Sequence, residues 1–326
     1  MTSDGERPPP LGHRIQYAAF RVMRGFLAAL PRSVALGLGE LVGWVVAVVF
    51  RVRRKVVDDN LRQAFPSESA AWRARVARNS YRHLVRESVV TFLMEDADRE
   101  EILGSVRTDT GVLEALRRDL EAGNGLIFVT GHLGNWEMGG AWLAAQGIPL
   151  DAVVQVQRNR RFDEDLRAVR EGLGMRVVPK QDAPRGILRA LRAGRAAGLV
   201  ADQNVAVGGI FVEFFGRSAA TARGPAVFSL RSGAPLWLGA AIRTPVGETP
   251  YHLRLERVEV PATGDLEADV LTLTETYMAR LESWIRDIPG QYFWHHKRWK
   301  TRPAIPERRV RGDHISAVHD PPGASP

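Results

Sequence analysis

GLIFVTGHLGNWEMGGAWLAAQG, residues 125–147, reads in three parts. Leu126–Val129 is a short apolar run with the length and bulk of a buried strand. Gly131 and Gly134 give a tight turn, and a helical pattern begins near Glu137 and stops at Gly147. Strand, glycine turn and helix in that order form the repeating unit of an open α/β sheet, whose ligands bind at the carboxyl ends of strands.

The alternation continues downstream. Further strand candidates are 152–156, 176–178, 199–201, 210–214, 236–242 and an alternating run over 251–260; helix starts are expected near Arg161, Pro184, Thr221 and Leu266. Upstream, residues 67–95 carry an amphipathic helical pattern with Ser67 as the expected N-cap and Trp72, Val76, Leu84, Val89 and Phe92 turned inward; Tyr81 and His83 read as packing or surface residues. The fold class is therefore α/β, with a mainly parallel or mixed central sheet flanked by helices.

Within the opening stretch, His132 and Glu137 are an ionisable pair at a strand end. On a continuous helix, residues five apart diverge by about 140° at roughly 100° per residue. The two side chains are thus expected to meet only if His132 lies in the turn and the chain folds back over Glu137. A carboxylate on one imidazole nitrogen fixes the tautomer and lets the other nitrogen take a proton. With no Ser, Thr or Cys beside the pair, the proton is expected to come from a substrate hydroxyl, by direct transfer without a covalent enzyme intermediate. The backbone amides near Gly134 and Asn135, at the helix start, are candidate oxyanion donors. The competing reading makes His132 a packing residue and Glu137 a first-turn acid that favours the helix dipole.

The 326 residues carry 45 Lys and Arg against 37 Asp and Glu, a formal charge of +8, which suits an acidic partner: nucleic acid, an anionic membrane or an acidic carrier protein. The absence of cysteine excludes disulfides, thiolate nucleophiles and Cys-based metal centres. MTSDGERPPP lacks the pattern of a secretory signal, so a cytoplasmic catalytic face is expected.

Residues 18–50 are the most lipid-like part. Val34–Phe50 holds one acid, Glu40, and is marginal against the roughly 20 residues needed to span a bilayer. It reads either as a membrane-associated helical segment, with Arg51, Arg53, Arg54 and Lys55 as a cytoplasmic flank, or as a buried hairpin broken at Pro31. Gly39 and Gly43 suit close helix packing. The expected organisation is a disordered N-terminus over 1–14, the membrane-associated segment over 15–55, a catalytic domain over 56–303 and a disordered basic tail over 304–326.

HLGNWE resembles the Hxxxx(D/E) motif of the glycerolipid and lysophospholipid acyltransferase superfamily, and most resembles its lipid A late acyltransferases of lauroyl and myristoyl type. LRQAFP (61–66), LVADQN (199–204) and QYFWHHKRWKTRP (291–303) extend the similarity over about residues 15–303. The resemblance implies an acyltransferase-like fold and an enzyme of the bacterial inner membrane with its site on the cytoplasmic face. It implies transfer of a fatty acyl chain from acyl carrier protein to a hydroxyl of a lipid A precursor, with no cofactor beyond the acyl donor itself. By position, His132 would be the general base and Glu137 its orienting partner. Arg170 in LRAVREGLG, the nearby Arg158, and Asp202 in LVADQN would bind substrate; Asp202 also reads as an N-cap. Two alternatives stand beside this: an acyl-CoA-dependent enzyme acting on another glycolipid such as a phosphatidylinositol mannoside, and a non-catalytic basic membrane-associated binding module.

WHHKRWK allows a metal reading through His295 and His296, but adjacent histidines diverge and no third ligand stands at metal spacing, so no metal is expected. Aromatic residues interleaved with Lys297, Arg298, Lys300 and Arg302 suit single-stranded nucleic acid or a lipid interface. The apolar N-terminal segment favours lipid over nucleic acid, and closure of the core by Trp294 and Trp299 is compatible with it.

Overall fold

A computed structural model describes residues 10–303. Its strands are β1 (Val106–Thr108), β2 (Leu126–Thr130), β3 (Leu150–Val154), β4 (Arg176–Pro179), β5 (Ala196–Val200), β6 (Gly209–Phe214), β7 (Arg217–Ala222), β8 (Leu236–Arg243) and β9 (Tyr251–Val258). Its helices are α1 (Leu11–Ala28), α2 (Arg32–Val45, extended by a π turn over Val46–Phe50), α3 (Arg54–Ala64), α4 (Ala70–Leu93), α5 (Arg99–Ser105), α6 (Val112–Glu121), α7 (Trp136–Ala145), α8 (Arg160–Gly172), α9 (Ala183–Arg192), α10 (Gly224–Ser232) and α11 (Leu266–Asp287).

Seven strands form one mixed sheet in the order β1-β9-β8-β2-β5-β3-β4, and β6 and β7 form a separate hairpin. β2 lies between β8 and β5, parallel to both, whereas β9 is antiparallel to β8. All five β2 residues are buried. Leu126 and Phe128 face one core with α7, and Ile127 and Val129 face the other with α9 and α11, as the two-residue period of a strand covered on both sides requires.

Two expected helix starts need correcting. α4 is capped by Ser69, whose Oγ accepts from the Trp72 amide, rather than by Ser67. Thr221 lies in strand β7, which ends at Ala222, and the helix starts at Gly224: a run of small residues, RSAATA, gave no apolar strand signal. Residues 11–14, within the stretch expected to be disordered, open α1 after Pro10; residues 1–9 and the expected tail 304–326 lie outside the described residues. α3 runs across the expected 55/56 boundary.

α1 and α2 form a hairpin at Pro31. α2 lies lengthwise on α4, with Ala35, Gly39, Gly43 and Ala47 buried at four-residue spacing. A Cβ on Gly43 would lie 2.6 Å from both Arg82 Cα and Tyr81 O, so the two backbones touch there. Glu40, the single acid in the apolar stretch, is held against α4 and β8 by Arg82 at 2.6 Å, Arg86 at 3.4 Å and Arg243 at 3.6 Å.

The C-terminal segment returns across the strand ends. Asn60 Nδ2 donates to Trp294 O at 2.8 Å and to His296 O at 2.6 Å, and Ser80 Oγ donates to Tyr292 O at 2.8 Å. Trp294 is fully buried, so WHHKRWK closes the core. Arg298 is also buried, bonded to Ala220 O at 2.7 Å and to Thr221 Oγ1, while Lys297 and Lys300 are exposed. His295 packs edge-on against Tyr81, and among the described residues neither of its ring nitrogens has a hydrogen-bond partner.

Gly43→Ala is expected to cost about 1–3 kcal/mol in a thermal melt, because backbone cannot retreat as a side chain can. Gly37→Ala, whose Cβ meets nothing within 4 Å, is expected to be neutral or stabilising. Burial, then the Arg53 charge, lowers the His295 pKa to about 4. Between about pH 6.5 and 4 the unfolded chain therefore binds the extra proton, so this stability is present above pH 6.5 and is lost on acidification. His295→Phe is expected to flatten that part of the stability profile in urea unfolding across pH 4–7.

Candidate active site

The site forms where β2 and β5 end side by side. The parallel register pairs Thr130 with Val200, and two residues further on His132 and Asp202 face each other. Asp202 Oδ1 accepts from His132 Nδ1 at 2.7 Å, and its Oδ2 accepts from the His132 amide at 2.9 Å. Tyr292 supplies a further hydrogen bond to the carboxylate. Burial would raise the Asp202 pKa, but the His132 ring and these hydrogen bonds hold it down at about 2. The carboxylate is thus ionised and places the proton on Nδ1, which leaves Nε2 as the basic nitrogen. Gln203, the next residue, puts its side-chain amide 3.1 Å from Nε2.

The expected His132–Glu137 pair is not formed. Gly134, at φ +67°, sends the chain away from His132; its Cβ position would lie 2.0 Å from Ala241 O, so only glycine fits. α7 then starts with Asn135 as N-cap, its Oδ1 accepting from the Met138 amide at 2.9 Å. Glu137, in the first turn, reaches across to α8 instead and takes a two-pronged bond from Arg170, Nε to Oε2 at 2.9 Å and Nη2 to Oε1 at 2.5 Å. Orientation of the imidazole therefore falls to Asp202, expected as a substrate-binding residue, and Arg170 is brought into the site by Glu137. Arg158 is exposed ahead of α8 and is not among the residues lining the cleft.

The oxyanion expectation also changes. The Gly134 amide donates to Gln291 O at 3.0 Å and the Asn135 amide to Ala241 O at 2.8 Å, so neither faces an open site.

A cleft of about 150 Å³ opens beside His132 between α4, α7 and α8. Leu84, Phe92, Trp136, Phe162 and Leu166 give it apolar walls, and Glu137 and Arg170 lie along it. Phe20 of α1 packs edge-on against both Phe92 and Phe162, with ring centres 4.9 Å apart in each case. Behind the turn, Glu87 of α4 accepts from Asn135 Nδ2 at 2.9 Å, from Arg86 at 2.6 Å and from the Tyr251 hydroxyl, while His83 Nε2 bonds to Gly134 O at 3.1 Å. Burial works against the Glu87 charge, yet His83, Arg86 and these hydrogen bonds lower its pKa. The sequence did contain a signal for this brace: Ser80, His83, Glu87 and Thr91 recur along one face of α4 at helical spacing. Gln203 had none beyond standing next to Asp202.

Comparison with known proteins places this chain in a family. The family described as bacterial lipid A biosynthesis acyltransferase matches residues 13–301. The chain is 26% identical to the phosphatidylinositol mannoside acyltransferase of Mycolicibacterium smegmatis, over 93% of this chain and 97% of that protein. It is 26% identical to the lipid A biosynthesis palmitoleoyltransferase of Escherichia coli, over 84% and 87%, and 26% identical to the lauroyltransferase of the same organism, over 86% and 90%. The chain is accordingly an O-acyltransferase and belongs to the bacterial lipid A biosynthesis acyltransferase family.

Proposed function

We propose that the enzyme moves a fatty acyl chain from acyl carrier protein to a hydroxyl of a lipid A precursor at the cytoplasmic face of the bacterial inner membrane. The observation that carries this reading is His132, with Nδ1 tied to an ionised Asp202 at the edge of an apolar cleft, in a chain of this family. The acyl chain lies between Phe92, Phe162 and Leu166, and the acceptor hydroxyl meets His132 Nε2. Nε2 takes the hydroxyl proton as the oxygen attacks the thioester carbonyl; the adduct collapses, and the departing thiolate recovers the proton from Nε2. Asp202 stabilises the imidazolium between the two steps. Arg170 and Glu137 together form one wall of the site, and Arg158, exposed ahead of α8, is kept as a contact for a sugar phosphate or the carrier's phosphopantetheine arm. The net charge of +8 suits an acidic carrier. The donor brings the acyl group as a substrate, so the balance needs no cofactor.

A second reading has acyl-CoA as donor and another glycolipid as acceptor. It is favoured by the Mycolicibacterium smegmatis relative, which aligns over more of the chain than either Escherichia coli enzyme at the same identity.

The membrane contact we assign to α1 and α2. Among the described residues only Arg32–Phe50 has the length and hydropathy to cross a bilayer. One side of that helix is committed to α4, while Leu41, Trp44, Val49 and Phe50, together with Val22 and Phe26 of α1, are exposed. Such an apolar face suits a helix pair lying in the headgroup region better than one spanning it.

Purified enzyme supplied with acyl carrier protein or CoA thioesters, and with lipid A precursor or mannosylated phosphatidylinositol, should give one acylated product by mass spectrometry. His132→Ala and Asp202→Asn are each expected to lower kcat by about 10³-fold or more with the fold intact. Wild-type activity in His132→Ala would remove the assignment, and an acyl-CoA preference with the mannosylated acceptor would select the second reading. Trp44→Ser/Phe50→Ser is expected to reduce flotation with anionic phospholipid vesicles while leaving the thermal midpoint in place; undiminished flotation would place the membrane contact elsewhere.

A further inference from the structure

With the Gly134 and Asn135 amides bonded elsewhere, the carbonyl oxygen of the thioester needs another donor, and one side-chain amide stands beside the proposed base. Gln203 Nε2 lies 3.1 Å from His132 Nε2. With Nδ1 carrying its proton toward Asp202, Nε2 has a single in-plane lone pair, so the amide must donate to it. The acceptor hydroxyl needs that same lone pair. The amide and the substrate therefore cannot both use Nε2, and the arriving hydroxyl displaces the amide by about one hydrogen-bond length. The N–H that had donated to Nε2 is then released beside the hydroxyl that attacks.

We propose that Gln203 is the oxyanion donor of this enzyme: its side-chain amide leaves His132 Nε2 when the acceptor hydroxyl binds and hydrogen-bonds the thioester oxygen as that oxygen becomes negative. The step balances. The hydroxyl oxygen bonds to the carbonyl carbon as its proton passes to Nε2, and the carbonyl π pair moves onto oxygen, where Gln203 holds it. That pair then re-forms the carbonyl, the carbon–sulfur bond breaks, and the sulfur takes the proton back from Nε2 to leave an ester and a thiol. A donor aimed at charge that exists only in the transition state raises kcat without tightening substrate binding. The arrangement also gives consecutive residues of one loop distinct tasks: Asp202 holds the nitrogen that keeps its proton, and Gln203 guards the nitrogen that works.

The inference rests on His132 being the base, and the test separates the two claims. Gln203→Ala is expected to lower kcat by about 10²–10³-fold, with KM for donor and acceptor within about twofold and the rising limb of the kcat–pH profile unmoved. Affinity for methyl dodecylphosphonate, which mimics the tetrahedral adduct, should fall, while affinity for a dodecyl thioether of pantetheine should not. Gln203→Glu keeps the size and removes the donors, so it should be at least as slow; it carries the same readouts if the alanine variant folds poorly. Unchanged or increased kcat would overturn the proposal and make the amide a plug on the resting base. A fall in kcat with a displaced pH profile would also overturn it, in favour of simple positioning of His132. An active His132→Ala enzyme would defeat the underlying reading, whereas an inactive His132→Ala enzyme beside a fully active Gln203→Ala enzyme would defeat only the oxyanion assignment.

Discussion

The carboxylate of Asp202 accepts hydrogen bonds from both the ring Nδ1 and the amide of His132, and this pair of hydrogen bonds across two strand ends is the constraint around which the site is arranged. It exists because β2 and β5 are parallel neighbours in register, although 70 residues separate the two side chains in sequence. Parallel pairing makes both strands end on the same edge of the sheet, so residues equally far past their ends face each other. A one-residue slip would turn one of them to the opposite side.

A ring held on one side, as that of the proposed base is, needs its backbone held on the other. The turn carrying His132 is fixed from three directions: β8 through Ala241, the returning C-terminal segment through Gln291 and Tyr292, and α4 through His83 and Glu87. Glu87 is almost fully buried, and such a charge is tolerable only when its oxygens are bonded. Arg86, Asn135 and Tyr251 meet that requirement, so removing one partner would leave a buried charge short of a bond next to the turn.

Much of the sheet was legible because its strands are apolar, short and punctuated by glycine. β2, β3, β4, β5, β6, β8 and β9 all overlap segments that periodicity predicts, whereas the three-residue β1 and the small-residue β7 gave no such signal. Within the site, motif and resemblance singled out His132, Arg170 and Asp202, but their pairing was not legible. Proximity in sequence suggested His132 with Glu137; the strand order and the left-handed Gly134 give His132 to Asp202 and Glu137 to Arg170 instead. Partner choice across a sheet depends on strand order, which a local pattern does not encode. Gln203 lay beyond reach for the same reason, and the polar face of α4 that carries His83 and Glu87 was legible without the turn that it braces.

The contact at Gly39 and Gly43 has a mechanical meaning. Where helices meet through long side chains, rotamers give and the helices can slide; where backbone meets backbone, there is little to give. α2 and α4 therefore behave as a single plank, with an exposed apolar face on one side and the Ser80–Phe92 wall of the cleft on the other. On the membrane contact proposed for this face, the surface it settles on would set the tilt and height of the cleft mouth, so the contact that anchors the enzyme would also aim it.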